Sequence, residues 1–181
     1  MSVTPFSRGL VALLLCVVWT LPVRADETAS PRNETSLLRL DTKPIEQAAS
    51  QAGTAVSNLL TGALDLIGIR YRRGGTSPDT GFDCSGFVDH VFRETLGLIL
   101  PHSAREIAKS GEKVRADELQ PGDLVFFNTM RRTFSHVGIY VGEHLFVHAP
   151  ASGGEVRVED MRSRYWAKRF NGGRRLSSDD N

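Results

Sequence analysis

The apolar positions of this chain change period twice. Residues 10–21, LVALLLCVVWTL, form one unbroken apolar run. From residue 44 the spacing becomes helical. Ile45, Ala49, Ala52, Val56, Leu59 and Leu60 recur near every third or fourth position, and Pro44 suits a first helical position. Gly53 and Gly62 interrupt that stripe, so the pattern predicts a kinked or broken helix, with Gly68 near its end. Residues 71–82 are rich in turn formers. Residues 84–96, CSGFVDHVFRETL, return to helical spacing at Phe87, Val88, Val91, Phe92 and Leu96, with Asp83 where an N-cap belongs. A second short helix is expected over 103–109, stopped by Gly111. Short apolar runs split by turn residues follow at 123–127, 136–142, 145–149, 156–159 and 169–176, and these read as strands. Helices first and strands after predict an α+β domain with an antiparallel sheet.

The first apolar run has signal-peptide length and is too short to span a bilayer. Val23-x-Ala25 offers small residues for processing, so residues 1–25 are read as a signal peptide cut after Ala25. An uncleaved membrane anchor and a lipoprotein acylated at Cys16 are the competing readings; Leu15 before the cysteine argues against the second. Residues 26–56 are read as a polar tether and the start of the first helix, 57–176 as the compact domain, and 177–181 as a disordered tail.

Composition narrows the function classes. The chain has 181 residues with 22 basic and 21 acidic side chains, a net charge of +1. Loss of Arg8 and Arg24 with the leader turns this to −1. With no run of like charge, nucleic acid is not an expected partner. Two cysteines, Cys16 and Cys84, exclude a disulfide-stapled mini-domain, and cleavage leaves Cys84 as a lone cysteine in an exported chain. That pattern points to a reactive thiol or to intermolecular pairing.

Cys84 opens a helix, where unpaired N–H groups favour a thiolate and lower its pKa. The plain alternative is a buried structural cysteine. A nucleophile needs a base, and the base needs an orienting partner. His136 begins one predicted strand and His148 lies on the next. A three-residue loop between 141 and 145 would set His148 opposite Gly138, with both histidines on one face; a two-residue loop would separate them. A shared site therefore needs an odd-numbered loop or a bulge. His90, His102 and His144 are read as ordinary polar residues. One cysteine and two histidines could also ligate a metal, but the close paired spacing of zinc sites is absent, so no metal and no organic cofactor are expected.

The segments YRRGG (71–75), GFDCSGFV (81–88), PGDLVFF (121–127), SHVGIYVG (135–142) and FVHAP (146–150) resemble the NlpC/p60-type cell-wall cysteine peptidases, in family order, over about two thirds of the chain. Within that family the chain looks like the single-domain exported murein endopeptidases. The resemblance implies a reduced papain-like fold with the nucleophile helix packed on an antiparallel β-sheet. It implies Cys84 as nucleophile, His136 as general base and acid, and His148 as the polar residue that fixes the imidazole. It assigns Tyr71, with the N–H of Cys84, to the oxyanion, the alternative being a packed aromatic with a hydrogen-bonded tip. Asp83 and Ser85 match residues that bind a free stem-peptide amine in some members; Asp83 also fits a plain helix cap. His102 stands where the family often has an arginine, with Arg105 a substitute nearby. Gly74 and Gly75 are expected to allow close backbone approach, and Gly86 close helix–sheet packing.

The implied activity is hydrolysis of amide bonds in peptidoglycan stem peptides or their cross-links, at D-Glu to diaminopimelate or D-Ala to diaminopimelate. The expected protein is a periplasmic or secreted monomer without a membrane span after cleavage. A non-catalytic murein-binding module, or an amidase or acyltransferase on the same fold, are the alternatives.

Overall fold

The computed structural model describes residues 43–129, 132–151 and 154–177. The predicted leader, most of the tether and residues 178–181 lie outside them. No helix among the described residues is long and apolar enough to cross a membrane.

The chain opens with α1 (Lys43–Leu64), a single helix of 22 residues. The helix expected to be kinked or broken is not broken. Gly53 lies on an exposed stretch where an added Cβ would meet nothing within 4 Å, so the glycine costs helix propensity without interrupting the helix. Gly62 lies against α2 (Cys84–Leu96), where a Cβ would come within 2.9 Å of Thr95 Cγ2. Its small size lets the two helices approach. Between them, the turn-rich segment folds into a hairpin of β1 (Thr76–Ser77) and β2 (Gly81–Phe82), whose two-residue strands carry no readable period.

The two ends of α2 follow from its sequence. Asp83 caps the N-terminus through a bond from the Gly86 N–H, and Gly97 closes the C-terminus in the left-handed conformation at φ 70°. A single turn, α3 (Ala104–Ile107), is capped by Ser103 and is shorter than the helix expected there.

The rest is a six-stranded sheet in the order β3-β8-β4-β5-β6-β7, with every pair antiparallel. β4 (Leu124–Phe127), β5 (His136–Gly142), β6 (Leu145–His148), β7 (Arg157–Asp160) and β8 (Phe170–Arg175) fall within a residue or two of the apolar runs that predict them. β3 (Glu112–Val114) is an edge strand with one buried residue, and the one-turn helix α4 (Arg164–Ala167) precedes β8.

The two faces of the sheet bury different material. Leu124, Phe126, Val137, Ile139 and Val147 pack with Leu59 and Ala63 of α1 and Phe87, Val88 and Val91 of α2. Each such side chain stabilises the fold by about 1.5–3 kcal/mol when fully buried. The other face carries an aromatic cluster of Val125, Phe127, Tyr140 and Phe146 with Trp166 of α4.

The hairpin between β5 and β6 resolves the parity question. Its turn has two residues, Glu143 and His144, both at positive φ (50° and 63°), as a tight hairpin turn with matching twist requires. The register shifts between Tyr140 and Gly142, so Val141 is an extra residue. Beyond this bulge Tyr140 pairs with Phe146 and Ile139 with Val147, which sets His148 opposite Gly138. A Cβ on Gly138 would lie 2.7 Å from Phe146 Cδ2 and 2.8 Å from the Val147 carbonyl oxygen, so the close approach of β6 needs a glycine there.

Candidate active site

Cys84, His136 and His148 come together where the N-terminus of α2 meets the start of β5. Cys84 and His136 line a cavity of about 1020 Å³ whose walls include Tyr71, Asp83, His102, Arg105 and Trp166, and His148 lies buried behind His136. His136 is 6 % exposed and His148 fully buried. Alternation along β5 and β6 puts both on the aromatic face, as the bulge requires. His136 Nε2 lies 2.8 Å from His148 Nδ1, with the rings nearly perpendicular at 87°. Trp166 stacks on His136 at 5.5 Å and 23°. With Nε2 engaged by His148, Nδ1 is the other ring nitrogen of His136, in the cavity that Cys84 also lines.

Electrostatics depart from the expectation of a ready-made thiolate. The Cys84 thiol is pushed up to about 11, first by burial and then by the Asp83 carboxylate beside it. Backbone N–H groups of Val137, Ser85 and Cys84 itself pull the other way and are outweighed. Burial is therefore what chiefly undoes the helix-terminus effect, and the helix cap adds to it, since Asp83 places a negative charge where the thiolate would form. Burial lowers His136 to about 4. His148 falls to about 2 through burial, then His136 and Arg157. The resting site is thus a neutral thiol and two neutral imidazoles. Burial, then the charges of Cys84 and Asp83, raise the Tyr71 hydroxyl, which stays a proton donor across the ordinary pH range.

Asp83 and Ser85 have their polar atoms engaged within the protein. Asp83 Oδ1 accepts from the Gly86 N–H at 2.8 Å and the Ser85 hydroxyl at 3.1 Å, and Oδ2 accepts from the Gly74 N–H at 2.9 Å. Ser85 Oγ also lies 3.1 Å from the His102 carbonyl oxygen. Gly86 does pack closely, but against the loop before β1 rather than the sheet: a Cβ there would sit 2.1 Å from the Gly75 carbonyl oxygen. Among the described residues no group of three or more His, Cys, Asp or Glu is arranged to hold a metal ion.

The sequence pattern of the NlpC/P60 family matches residues 68–175, more than half of the chain and all of the cavity. The chain belongs to the NlpC/P60 family. Murein DD-endopeptidase MepS/Murein LD-carboxypeptidase of Escherichia coli K12 is 41 % identical over 152 residues, covering 84 % of this chain and 79 % of that protein. Murein DD-endopeptidase MepH of the same organism is 39 % identical over 116 residues, 62 % of this chain and 43 % of that protein. The Gamma-DL-glutamyl hydrolase of Bacillus subtilis is 39 % identical over 131 residues, 72 % of this chain and 32 % of that protein. Among solved structures, an NlpC/P60 family protein from Bacillus cereus superposes with a TM-score of 0.63 at 28 % identity, over 67 % of this chain and 40 % of that one. The NlpC/p60 domain of the peptidoglycan hydrolase SagA superposes at 0.59 and 27 % identity, over 67 % of this chain and 98 % of that domain.

Within this NlpC/P60 domain, three residues join the site that no motif announces. β7 pairs with β6 so that His148 faces Arg157 and Phe146 faces Glu159, which puts both charged side chains on the histidine face. The Trp166 indole N–H donates to Glu159 Oε2. The signal in the sequence is weak: the alternation VRVE over 156–159 puts two charges on one face of a strand, but only its register against β6 says that they reach a buried histidine.

Proposed function

We propose that this chain is an exported cysteine-type peptidase that hydrolyses amide bonds of peptidoglycan, and that it cuts the D-Ala to diaminopimelate cross-link. The observation that carries this reading is Cys84 at the head of α2, sharing one cavity with His136, whose far nitrogen is held by His148 at 2.8 Å. The likeness to MepS and MepH, both named as DD-endopeptidases, supports the choice of bond. The Bacillus subtilis hydrolase, named for a γ-glutamyl bond, supports cleavage after D-Glu as the second reading. Export rests on the leader read in residues 1–25 and on a wall polymer as substrate.

The mechanism follows from a neutral resting pair. His136 Nδ1 takes the thiol proton as Sγ attacks the amide carbonyl carbon, so the thiolate exists only as the bond forms. The Cys84 N–H and the Tyr71 hydroxyl donate to the developing oxyanion. His148 Nδ1 accepts from the His136 Nε2–H and keeps the imidazolium oriented. The imidazolium then protonates the leaving amine as the carbon–nitrogen bond breaks, which leaves a thioester on Cys84. Water, deprotonated by His136, attacks the thioester and releases a carboxylate and the thiol. An Arg105 side chain on the cavity wall gives a stem carboxylate a place to bind.

Digestion of purified sacculi by the wild-type protein and by Cys84→Ser, with products weighed by mass spectrometry, tests this. Loss of cross-linked dimers in the wild type alone is the expected result. Shortened stems point to the bond after D-Glu, and free glycan strands to an amidase. No release by a folded wild-type protein favours a binding module.

A further inference from the structure

We propose that Glu159 is a positioning residue that extends the histidine pair into a relay, His136–His148–Glu159, and supplies the negative charge the pair itself lacks. The inference rests on the reading of His136 as the base.

His148 Nε2 is buried and has no hydrogen-bond partner, while Glu159 Oε2 stands 3.7 Å from it. A buried N–H without an acceptor is costly, so an orphan of this kind beside a catalytic pair calls for a reason. The proton positions supply one. A protonated His136 must donate from Nε2, so His148 accepts at Nδ1 and carries its own hydrogen on Nε2. The nitrogen that carries that hydrogen is the one 3.7 Å from Glu159 Oε2. The contact is an N–H dipole facing a carboxylate and not an ion pair, because burial keeps His148 neutral. It is long at rest, when His136 is uncharged. When His136 takes the thiol proton, the positive charge strengthens the donor at each step, and the last gap has cause to close.

Glu159 is itself held in place. Arg157 Nε donates to Oε1 at 2.6 Å, and the Trp166 indole N–H donates to Oε2. The same Trp166 ring stacks on His136. One aromatic side chain therefore fixes both ends of the relay, the base by its face and the carboxylate by its edge. The charged or titratable groups that line the cavity beside the pair are Cys84 and Asp83 from the start of α2, Tyr71 and Arg73 from the loop before β1, His102 and Arg105 from the segment around α3, Arg132 from the loop before β5, Arg157 and Glu159 from β7, and Tyr165 from α4. Arg157 opposes an imidazolium and Glu159 favours one, and Glu159 is the carboxylate next to His148.

The test compares wild type, Glu159→Gln and Glu159→Asp on a purified cross-linked muropeptide dimer, with kcat and KM followed across pH. Glu159→Gln is expected to lower kcat about tenfold with KM unchanged. Removing the carboxylate disfavours the imidazolium, so the acid limb of the kcat profile moves to lower pH; Glu159→Asp restores part of both. In a His148→Asn background the same substitution is expected to change kcat less than about twofold. Trp166→Phe keeps the stacked ring and removes the indole N–H, and gives a smaller shift of the limb in the same direction. It carries the test if Glu159→Gln does not fold. The proposal is overturned by an unmoved acid limb, or by a loss of equal size in the His148→Asn background. Cys84→Ser runs alongside: full activity there would sink the site reading itself, independently of the relay.

Discussion

At the N-terminus of α2 and at the β5–β6 hairpin, the protein buries polar groups in opposite ways. Around Asp83, both carboxylate oxygens, the Ser85 hydroxyl and the N–H groups of Gly74 and Gly86 are joined to one another or to the His102 carbonyl. Around His148, the pair bond to His136 is short, yet Nε2 is left without a partner. Saturated polar clusters stabilise a shape. An unsaturated one is tolerated where charge must appear and disappear. Under the proposed mechanism, the Asp83 cluster is scaffold that presents Cys84, and the histidine side is the part that responds during the reaction.

The largest effect that separates the two regions is on turnover. His136→Ala is expected to lower kcat on cross-linked muropeptides by about a thousandfold or more, in a protein still folded at the assay temperature although less stable for the lost stack on Trp166 and bond to His148. The Asp83 cluster holds the opposite expectation, stability lost before chemistry. Kinetics and thermal melts on the same preparations check it. A His136→Ala protein with near-normal turnover would break the comparison at its root.

Acid stability gives the next largest effect. His136 ionises near 6.5 when unfolded and near 4 when folded, and His148 lower still. Between those values the unfolded chain binds more protons, so stability is present above pH 6.5 and is lost as pH falls toward 4. Each histidine contributes a slope of about 1.4 kcal/mol per pH unit in that window. Urea midpoints between about pH 7 and about pH 5 measure it, and His148→Asn is expected to remove roughly half of the slope.

The same contrast explains what the sequence discloses. β4 to β6 and α2 are legible because their apolar residues are the ones that end up buried, and the half-buried β7 and β8 because turn residues bound them, while Asp83 marks the start of α2. β3 and α4 are not: EKV has one apolar residue, and RYWA is a single turn, too short for a stripe. The unbroken α1 is misread because Gly62 looks like a breaker in one dimension and is a contact with Thr95 in three. Cys84, His136 and His148 stand out by residue type. Glu159 and Trp166 do not, since their role depends on the register of β7 against β6 and on a one-turn helix folded back over the sheet. The elevated thiol pKa is equally hidden. The helix start is visible in the sequence, but the weight of burial and of the Asp83 charge against it is set by the packed structure.

Asp83 sharpens the comparison because its two effects run in opposite directions. Asp83→Ala removes the cap on α2 and the tie to Gly74, and is expected to cost about 2 kcal/mol in a urea melt. The same substitution removes the charge that raises Cys84, so the thiol falls from about 11 toward its ordinary value. Alkylation by iodoacetamide, slow for the wild-type protein at mildly acidic and neutral pH, is then expected to speed up at fixed pH. A destabilised protein with a more reactive thiol fits a cap that presents the nucleophile while holding it protonated. Unchanged alkylation would mean that burial alone sets the thiol.

Ser85 is the smallest effect and the finest test. Its hydroxyl lies 3.1 Å from both Asp83 Oδ1 and the His102 carbonyl oxygen, and so has its one O–H engaged by acceptors within the protein. Ser85→Ala is expected to lower stability by about 1 kcal/mol, the ordinary worth of one such bond. The resemblance to members that bind a free stem amine leads to a different result, a rise in KM for stems with a free amino terminus and none for blocked ones. Measuring KM on that pair of substrates separates the two. An equal, small change on both keeps Ser85 in the scaffold with Asp83. A selective rise would show that the hydroxyl leaves its partners when substrate arrives, and the line between a saturated scaffold and a responsive site would then run through α2 itself and not between α2 and the hairpin.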